Sequence, residues 1–260
     1  MHLGWNHAKT KLMHSDIVDL REFYLNPLGR TVRRLLRAHV ARIWPSVGRE
    51  NILVYGYGTP LLRPFLGKTA RLLAMMPAGQ GATYWPREGP NITCLVDGIS
   101  LPLPDQSVDR VIVMHGLEAV PDADIFLREI WRVMKSGARL LVIVPNRRGL
   151  WAHSDRTPFG DGQPYSSSQL KRVLRDQGFL VDRAWTALFL PPSTSRLVRS
   201  IAGFLEKYGD RLFPALGGVH VMEASKQLYA PLLTKSQRLN RRLVLPLPLP
   251  MPHPSMRQGL

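Results

Sequence analysis

The residues with the clearest chemical potential lie where three short apolar runs end. The first run opens into two glycines separated by one residue, the second ends in an Asp-Gly pair, and the third is followed by a histidine; these candidate binding residues are Gly56, Tyr57, Gly58, Asp97, Gly98 and His115. Glycine after a strand lets backbone N–H groups approach a ligand closely. Because the carboxyl ends of parallel strands share one sheet edge, the pattern predicts a nucleoside-binding site.

Helices and strands alternate along the chain around these residues. Apolar runs predict strands at 51–55, 70–75, 91–96, 110–114 and 139–144, with an extended segment at 179–190. Capped or amphipathic stretches predict helices at 16–25, 31–44, 60–67, 123–134 and 167–177. A helical stretch at 192–216 and a closing strand at 218–229 follow. The alternation predicts an α/β fold with a doubly wound, mostly parallel sheet.

Three longer segments resemble the motifs of one enzyme family. Residues 101–109 read LPLPDQSVD, residues 126–137 read FLREIWRVMKSG, and residues 139–146 form the next predicted strand with its exit. Together with the glycine pair and Asp97, they resemble the small-molecule, type 11 branch of the class I S-adenosylmethionine-dependent methyltransferases across residues 52–146.

This resemblance implies properties that composition and spacing do not supply. It implies a seven-stranded, Rossmann-like methyltransferase fold with N-terminal helices, a helical insertion before the last strand and an antiparallel final pair. It implies S-adenosylmethionine as the cofactor, held by the six candidate residues, with the Asp97 carboxylate accepting from the adenine amino group. The methyl acceptor is expected to be a small or lipid-like molecule.

The chain departs from the family pattern at three places. Val54 replaces the usual acidic residue, Pro60 replaces the third glycine, and the predicted strand 70–75 leads into Met76-Pro77 without a carboxylate for the ribose. Loss of that charge-assisted contact weakens cofactor binding by roughly one to two decades, with Gln80 as a neutral substitute. An alternative therefore stays open, a degenerate methyltransferase-like binding or scaffold protein whose pocket is filled by residues 75–77.

Methyl transfer needs alignment more than it needs a catalytic side chain. A general base is required only for a hydroxyl or protonated amine acceptor, and no catalytic residue is assigned. The polar candidates near the expected edge or in the loop 147–165 are His115, Glu118, His153, Asp155 and Tyr165. The spacing of the histidines matches no closed metal motif. Trp85 and Trp151 are candidates either for stacking on a ligand or for anchoring loops.

The chain is strongly basic, with 35 Lys and Arg against 19 Asp and Glu and a formal net charge of +16. A third hypothesis is therefore an RNA-modifying or nucleic-acid-binding protein. One face of the predicted helix 31–44, extended by the residue before it, carries four arginines, namely Arg30, Arg33, Arg34 and Arg37. That face is either a solvated surface or a contact for an anionic substrate, a phospholipid or RNA.

The domain organisation predicted from composition has three parts. Residues 1–14 are expected to be a disordered or misassigned start, residues 15–231 one domain, and residues 232–260 a basic, proline-rich disordered tail. Within the domain, 15–48 are N-terminal helices and 191–217 a helical insertion. The single cysteine, Cys94, is expected to be buried. No segment is long enough to span a membrane, and the expected location is the cytoplasm; the oligomeric state is left open.

Overall fold

Seven strands form the framework of the computed structural model, which describes residues 15–213 and 216–227. The strands are β1 (Asn51–Tyr55), β2 (Arg71–Pro77), β3 (Thr93–Val96), β4 (Val108–Met114), β5 (Met134–Pro145), β6 (Phe179–Ala187) and β7 (Val219–Lys226). The helices are α1 (Ile17–Leu25), α2 (Pro27–Ile43), α3 (Ala123–Val133), α4 (Ser167–Asp176), α5 (Arg196–Ser200) and α6 (Ala202–Leu212).

The sheet order is β3-β2-β1-β4-β5-β7-β6. The pairs from β3 through β5 are parallel, whereas β7 runs antiparallel to both β5 and β6. The doubly wound, mostly parallel, seven-stranded sheet expected from the sequence is thus confirmed. The carboxyl ends of β1 to β4 meet at one edge, which places the segments after 55, 77, 96 and 114 together.

Buried side chains cover both faces of the sheet. On one face α1 and α2 pack with the segments that follow β1 and with the chain after β6. On the other face α3 and α4 pack against the opposite side chains of β1, β4 and β5. Successive strand residues point to opposite faces, and Tyr55, the last residue of β1, lies on the α3 side. Two residues further on, a continuous strand would put Tyr57 on the same side, but the chain turns at Gly56 with φ +79° and Tyr57 packs on the α1 side.

Three expectations about the elements are corrected by the structure. Helix α2 begins at Pro27, because the Asn26 side chain accepts from the Gly29 amide at 2.8 Å and caps it. The segment 60–67 is not an α-helix but two 3-10 turns, Thr59–Leu61 and Arg63–Phe65. Cys94 is exposed rather than buried, because β3 is the edge strand of the sheet.

Two predicted segments lie outside the described residues, namely the start at 1–14 and the proline-rich tail at 232–260. In the part of the chain that the structure covers, no helix combines the length and the apolar character needed to cross a bilayer.

Candidate functional site

An apolar cavity of about 390 Å³ opens at the carboxyl ends of β1, β2 and β3, beside the start of α3. Its lining is Tyr55, Pro77, Ala78, Val96, Asp97, Gly98, Ile99, Ala119, Val120, Pro121, Asp122, Ile125 and Phe126. Its size falls in the range of small-molecule sites, which combine apolar walls with few polar groups. The Asp97 carboxylate accepts from the Ile99 amide at 3.1 Å and is exposed, so its remaining lone pairs are free for a ligand.

Gly98 has a packing reason to be glycine at this cavity. A Cβ on Gly98 would lie 2.3 Å from the Tyr55 hydroxyl oxygen, so any side chain there must displace the tyrosine. The Tyr55 ring is itself fixed by Phe126, with ring centroids 4.4 Å apart. Burial, followed by the charge of Asp97, raises the pKa of Tyr55, so its hydroxyl stays neutral. Asp97 and Gly98 thus lie together in the cavity, as the sequence predicted they would lie at one edge.

The glycine turn after β1 does not line this cavity. Gly56 has φ +79°, and a Cβ there would lie 2.3 Å from the Met114 carbonyl oxygen. Gly58 packs with equal closeness against the Val54 side chain. Tyr57, between them, faces the other side of the sheet. None of these three candidates lines the apolar cavity with Asp97 and Gly98, and Gly56 is required by its positive φ and its close approach to the backbone at the end of β4.

The two 3-10 turns after the glycines follow from their prolines. Pro64 has no N–H to donate to the carbonyl of Pro60, and its ring clashes with that carbonyl in an α-helix. The free Pro60 carbonyl accepts instead from Arg37 Nε at 2.6 Å. No α-helix therefore starts at the glycine turn, and no α-helical N-terminus points from it towards a ligand.

The end of β2 supplies no carboxylate to the cavity. Pro77 and Ala78 line it, while Met75 and Met76 are buried in the cores on opposite faces of the sheet. The cavity is therefore not filled by residues 75–77 as the scaffold hypothesis required. Gln80 is buried away from it, and its side-chain amide donates to the His115 carbonyl at 2.9 Å.

His115 lies in a closed polar cluster beside the cavity. Its backbone has φ +51°, and its Nε2 lies 2.8 Å from the Tyr24 hydroxyl. Glu118 Oε1 lies 3.6 Å from His115 Nδ1, and neither carboxylate oxygen has a hydrogen-bond partner in the described part of the chain. Burial, then Tyr57 and Glu118, raises the pKa of Tyr24 well above its usual value. The neutral Tyr24 hydroxyl thus anchors the imidazole of His115, which is only 4% exposed.

The loop 147–165 packs over this cluster but brings few polar side chains to it. Trp151 is fully buried, and its indole donates to the Leu190 carbonyl at 2.7 Å, so it anchors the loop rather than stacking on a ligand. His153 and Asp155 are exposed. Burial raises the pKa of Tyr165 to about 12. Within the described residues, no group of three or more His, Cys, Asp or Glu side chains is arranged to hold a metal ion.

A second cavity, of about 660 Å³, lies on the α1 and α2 side and was not foreseen as a pocket. Five arginines line it, Arg21, Arg33, Arg37, Arg63 and Arg87, together with Tyr57, Tyr84 and Trp85. The only signal in the sequence was the arginine face of α2. That face is divided, since Arg33 and Arg37 line the cavity while Arg30 and Arg34 are exposed outside it.

Comparison with known proteins agrees with this architecture. Residues 66–142 match the family model Methyltransf_11, described as "Methyltransferase domain". A SAM-dependent methyltransferase from Thermotoga maritima superposes with a TM-score of 0.60 at 16% identity, over 81% of this chain and 96% of that one. Over residues 66–142 the chain is thus similar to this methyltransferase family, and it shares a Rossmann-like fold with the solved methyltransferase structure.

Curated relatives match over shorter segments. A probable S-adenosylmethionine-dependent methyltransferase of Mycobacterium tuberculosis is 37% identical over 94 residues, covering 35% of this chain and 34% of the relative. The ubiquinone/menaquinone biosynthesis C-methyltransferase UbiE of Pasteurella multocida is 50% identical over 44 residues, covering 17% and 16%. The chain thus matches about a third or less of the length of these relatives.

Proposed function

We propose that this protein is an S-adenosylmethionine-dependent methyltransferase acting on a small or lipid-like acceptor. The apolar cavity carries the proposal, because it lies at the carboxyl edge of β1 to β3 with an accessible carboxylate, Asp97, in its wall. A flat apolar ring with an exocyclic amine matches apolar walls with a carboxylate that can accept a hydrogen bond. The similarity to methyltransferases, one of them a quinone-biosynthesis enzyme by name, supports the same class of reaction and acceptor.

The residues present fit the nucleoside end of S-adenosylmethionine. Val96, Ile99 and Phe126 supply apolar walls for an adenine, and Asp97 supplies the acceptor for its amino group. The close packing of Gly98 on Tyr55 keeps side-chain atoms out of the cavity wall. When bound, the cofactor supplies an electrophilic methyl group. The protein's part is to bind and orient it and to exclude water around the acceptor.

The polar residues near the cavity position the site and do not act as an accessible base. His115 is held by Tyr24 and covered by the loop 147–165, with almost no exposed surface. An acceptor whose attacking atom carries no proton that must be removed first suits this arrangement, and a carbon nucleophile or a neutral amine meets that condition. The proposed location is the cytoplasm, because an exposed free cysteine, Cys94, suits a reducing compartment.

A second candidate function has a specific observation in its favour. The glycine turn packs against β4, no α-helix follows it, and β2 ends without a carboxylate. These features reduce the contacts available to the ribose and the amino-acid end of the cofactor. The corresponding candidate is a methyltransferase-like protein that binds a nucleoside or a partner without efficient methyl transfer.

Calorimetric titration with S-adenosylhomocysteine tests the proposal. Binding to the wild-type protein is expected, and Asp97→Ala should weaken it about tenfold or more through loss of a charge-assisted hydrogen bond. Asp19→Ala, which removes an exposed carboxylate on α1, is the matched control and should bind as the wild type does.

Three outcomes of this titration separate the candidates. Binding that depends on Asp97, followed by methyl transfer to a small acceptor, supports the enzyme. Binding without transfer across an acceptor screen favours the second candidate. Absence of binding at millimolar ligand contradicts both a methyltransferase and a nucleoside-binding protein.

A further inference from the structure

The basic cavity is distinct from the apolar cavity described above. It is lined by residues of α1, α2, the two 3-10 turns and the loop 83–88, on the face of the sheet opposite to α3. Its five arginines face a single carboxylate, Glu88, so the formal charge of the lining is +4. A volume of about 660 Å³ is sufficient for a ligand of cofactor size.

The arginines of this cavity are not neutralised by the protein. Across residues 15–213 and 216–227, no carboxylate lies within 4.0 Å of a guanidinium nitrogen of any of the five. Elsewhere in the same residues arginines do find acids, as in the pair of Arg110 Nε with Glu50 at 2.5 Å. The lining of this one cavity therefore gathers five arginines that have no ion-pair partner within that distance among the described residues.

The arginines also lie close enough to affect one another and the cavity's tyrosine. Partial burial, followed by the charges of Arg33 and Arg63, lowers the pKa of Arg37. Burial raises the pKa of Tyr57, while Arg21 and Arg33 oppose that rise. Like charges gathered in this way repel each other, and a bound anion relieves the repulsion.

The type of cation and its neighbours define the ligand chemistry. Guanidinium groups bind phosphate and carboxylate through paired, charge-assisted hydrogen bonds. Tyr57, Tyr84 and Trp85 add aromatic surface to the same cavity. Arg37 is held in place by its bond to the Pro60 carbonyl, so that part of the lining is fixed before a ligand arrives.

We propose that the basic cavity binds a ligand with a phosphate or other multiply charged anionic group attached to an apolar or aromatic part. That this ligand is also the methyl acceptor rests on the proposed function, whereas the proposal of an anion-binding site does not. Tyr55 lines the apolar cavity and Tyr57 lines the basic one, so the two cavities are separated by Gly56 alone along the chain. An anionic acceptor anchored there lies beside the proposed cofactor site.

The test is calorimetric titration of the full chain with inorganic pyrophosphate at near-physiological salt and without cofactor. Arg33→Gln and Arg63→Gln should each weaken binding about tenfold or more, because each removes charge-assisted hydrogen bonds. Arg34→Gln is the matched control, since Arg34 neighbours Arg33 in α2 but is exposed and outside the cavity, and its affinity should stay within about twofold of the wild type. Circular dichroism checks that each variant is folded.

Vesicle sedimentation distinguishes the sources of the phosphate. Binding to phosphatidylglycerol vesicles but not phosphatidylcholine vesicles, with the same dependence on Arg33 and Arg63, assigns the site to a lipid headgroup. Saturable pyrophosphate binding without vesicle binding assigns it to a soluble phosphorylated molecule. The proposal is overturned if neither probe binds, or if Arg34→Gln weakens binding as much as Arg33→Gln.

Titration of the same variants with S-adenosylhomocysteine keeps this result separate from the proposed function. The cavity variants should bind S-adenosylhomocysteine as the wild type does. If Arg33→Gln and Arg63→Gln instead lower the affinity for S-adenosylhomocysteine about tenfold, the arginines bind the cofactor's own carboxylate. The proposal of a separate anion site is then wrong. If S-adenosylhomocysteine does not bind at all while pyrophosphate binds as described, the anion site stands and the methyltransferase proposal fails.

Discussion

Val54 and Gly58 show how one residue in a motif determines the packing of another. Val54 is fully buried in β1, and its Cγ1 atom occupies the space that a side chain on Gly58 would need. The family's acidic residue at position 54 would place a carboxylate among apolar groups of the α1 face. Valine at position 54 is thus suited to the apolar core that surrounds it, and within the described part of the chain no other polar group takes the place of the family's acidic residue there.

Restoring the family's acid should therefore harm the protein. Val54→Asp is expected to lower the free energy of unfolding by about 3 kcal/mol or more, because it buries a carboxylate without a partner. Urea unfolding measures this, with Val54→Ala as the control that removes volume without adding charge. A stable aspartate variant that binds S-adenosylhomocysteine more tightly than the wild type would show that position 54 reaches the ligand.

At the scale of elements, boundaries follow from caps and prolines. Helix α4 begins with a capping box, in which Ser166 and Gln169 satisfy each other's backbone amides at 3.2 and 3.1 Å. This boundary was predicted from the sequence and is confirmed. The sequence predicts a helix after β1 because Pro60 is acceptable in a first turn, but Pro64 cannot donate to the Pro60 carbonyl, and two 3-10 turns form instead.

Removing the cap of α4 should cost stability without affecting either cavity. Ser166→Ala is expected to lower the free energy of unfolding by about 1 kcal/mol, since the amide of Gln169 loses its acceptor. Ser167→Ala, one position into the helix, should change it by less than about 0.5 kcal/mol. Chemical denaturation of both variants measures the difference, and equal losses would contradict the role assigned to the cap.

The fold was predictable from the sequence because apolar runs mark the strands, glycines mark where they end, and helical segments alternate with them. The placement of Asp97 beside Gly98 at one sheet edge followed from that pattern. The packing of Gly56 on β4 did not, because it depends on how closely the β4 backbone approaches. The basic cavity was also missed, since Arg21, Arg63 and Arg87 come from three separate segments that only the fold brings to Arg33 and Arg37.

At the scale of the whole molecule, one buried histidine outside the lining of both cavities, His220, makes the free energy of unfolding depend on pH. His220 lies in β7 between β5 and β6, is 6% exposed, and has a pKa lowered to about 4 by burial and then by Lys171. The unfolded chain binds a proton on this imidazole near pH 6.5, whereas the folded protein resists protonation until about pH 4. Falling pH across that window therefore favours unfolding.

Replacing His220 should flatten this dependence. The free energy of unfolding of the wild-type protein is expected to fall between about pH 6.5 and pH 4, and that of His220→Gln should fall less over the same window. Urea unfolding at several pH values measures both proteins. Parallel curves for the two would mean that His220 is protonated equally in the folded and unfolded states.

The most direct measurement of the central claim is a crystal structure of the protein with S-adenosylhomocysteine. The adenine is expected in the apolar cavity between Ile99 and Phe126, with its amino nitrogen about 3 Å from the Asp97 carboxylate. The basic cavity should then be free of the nucleoside. Adenine density among the arginines, or none in the apolar cavity at saturating ligand, would contradict the proposed cofactor site.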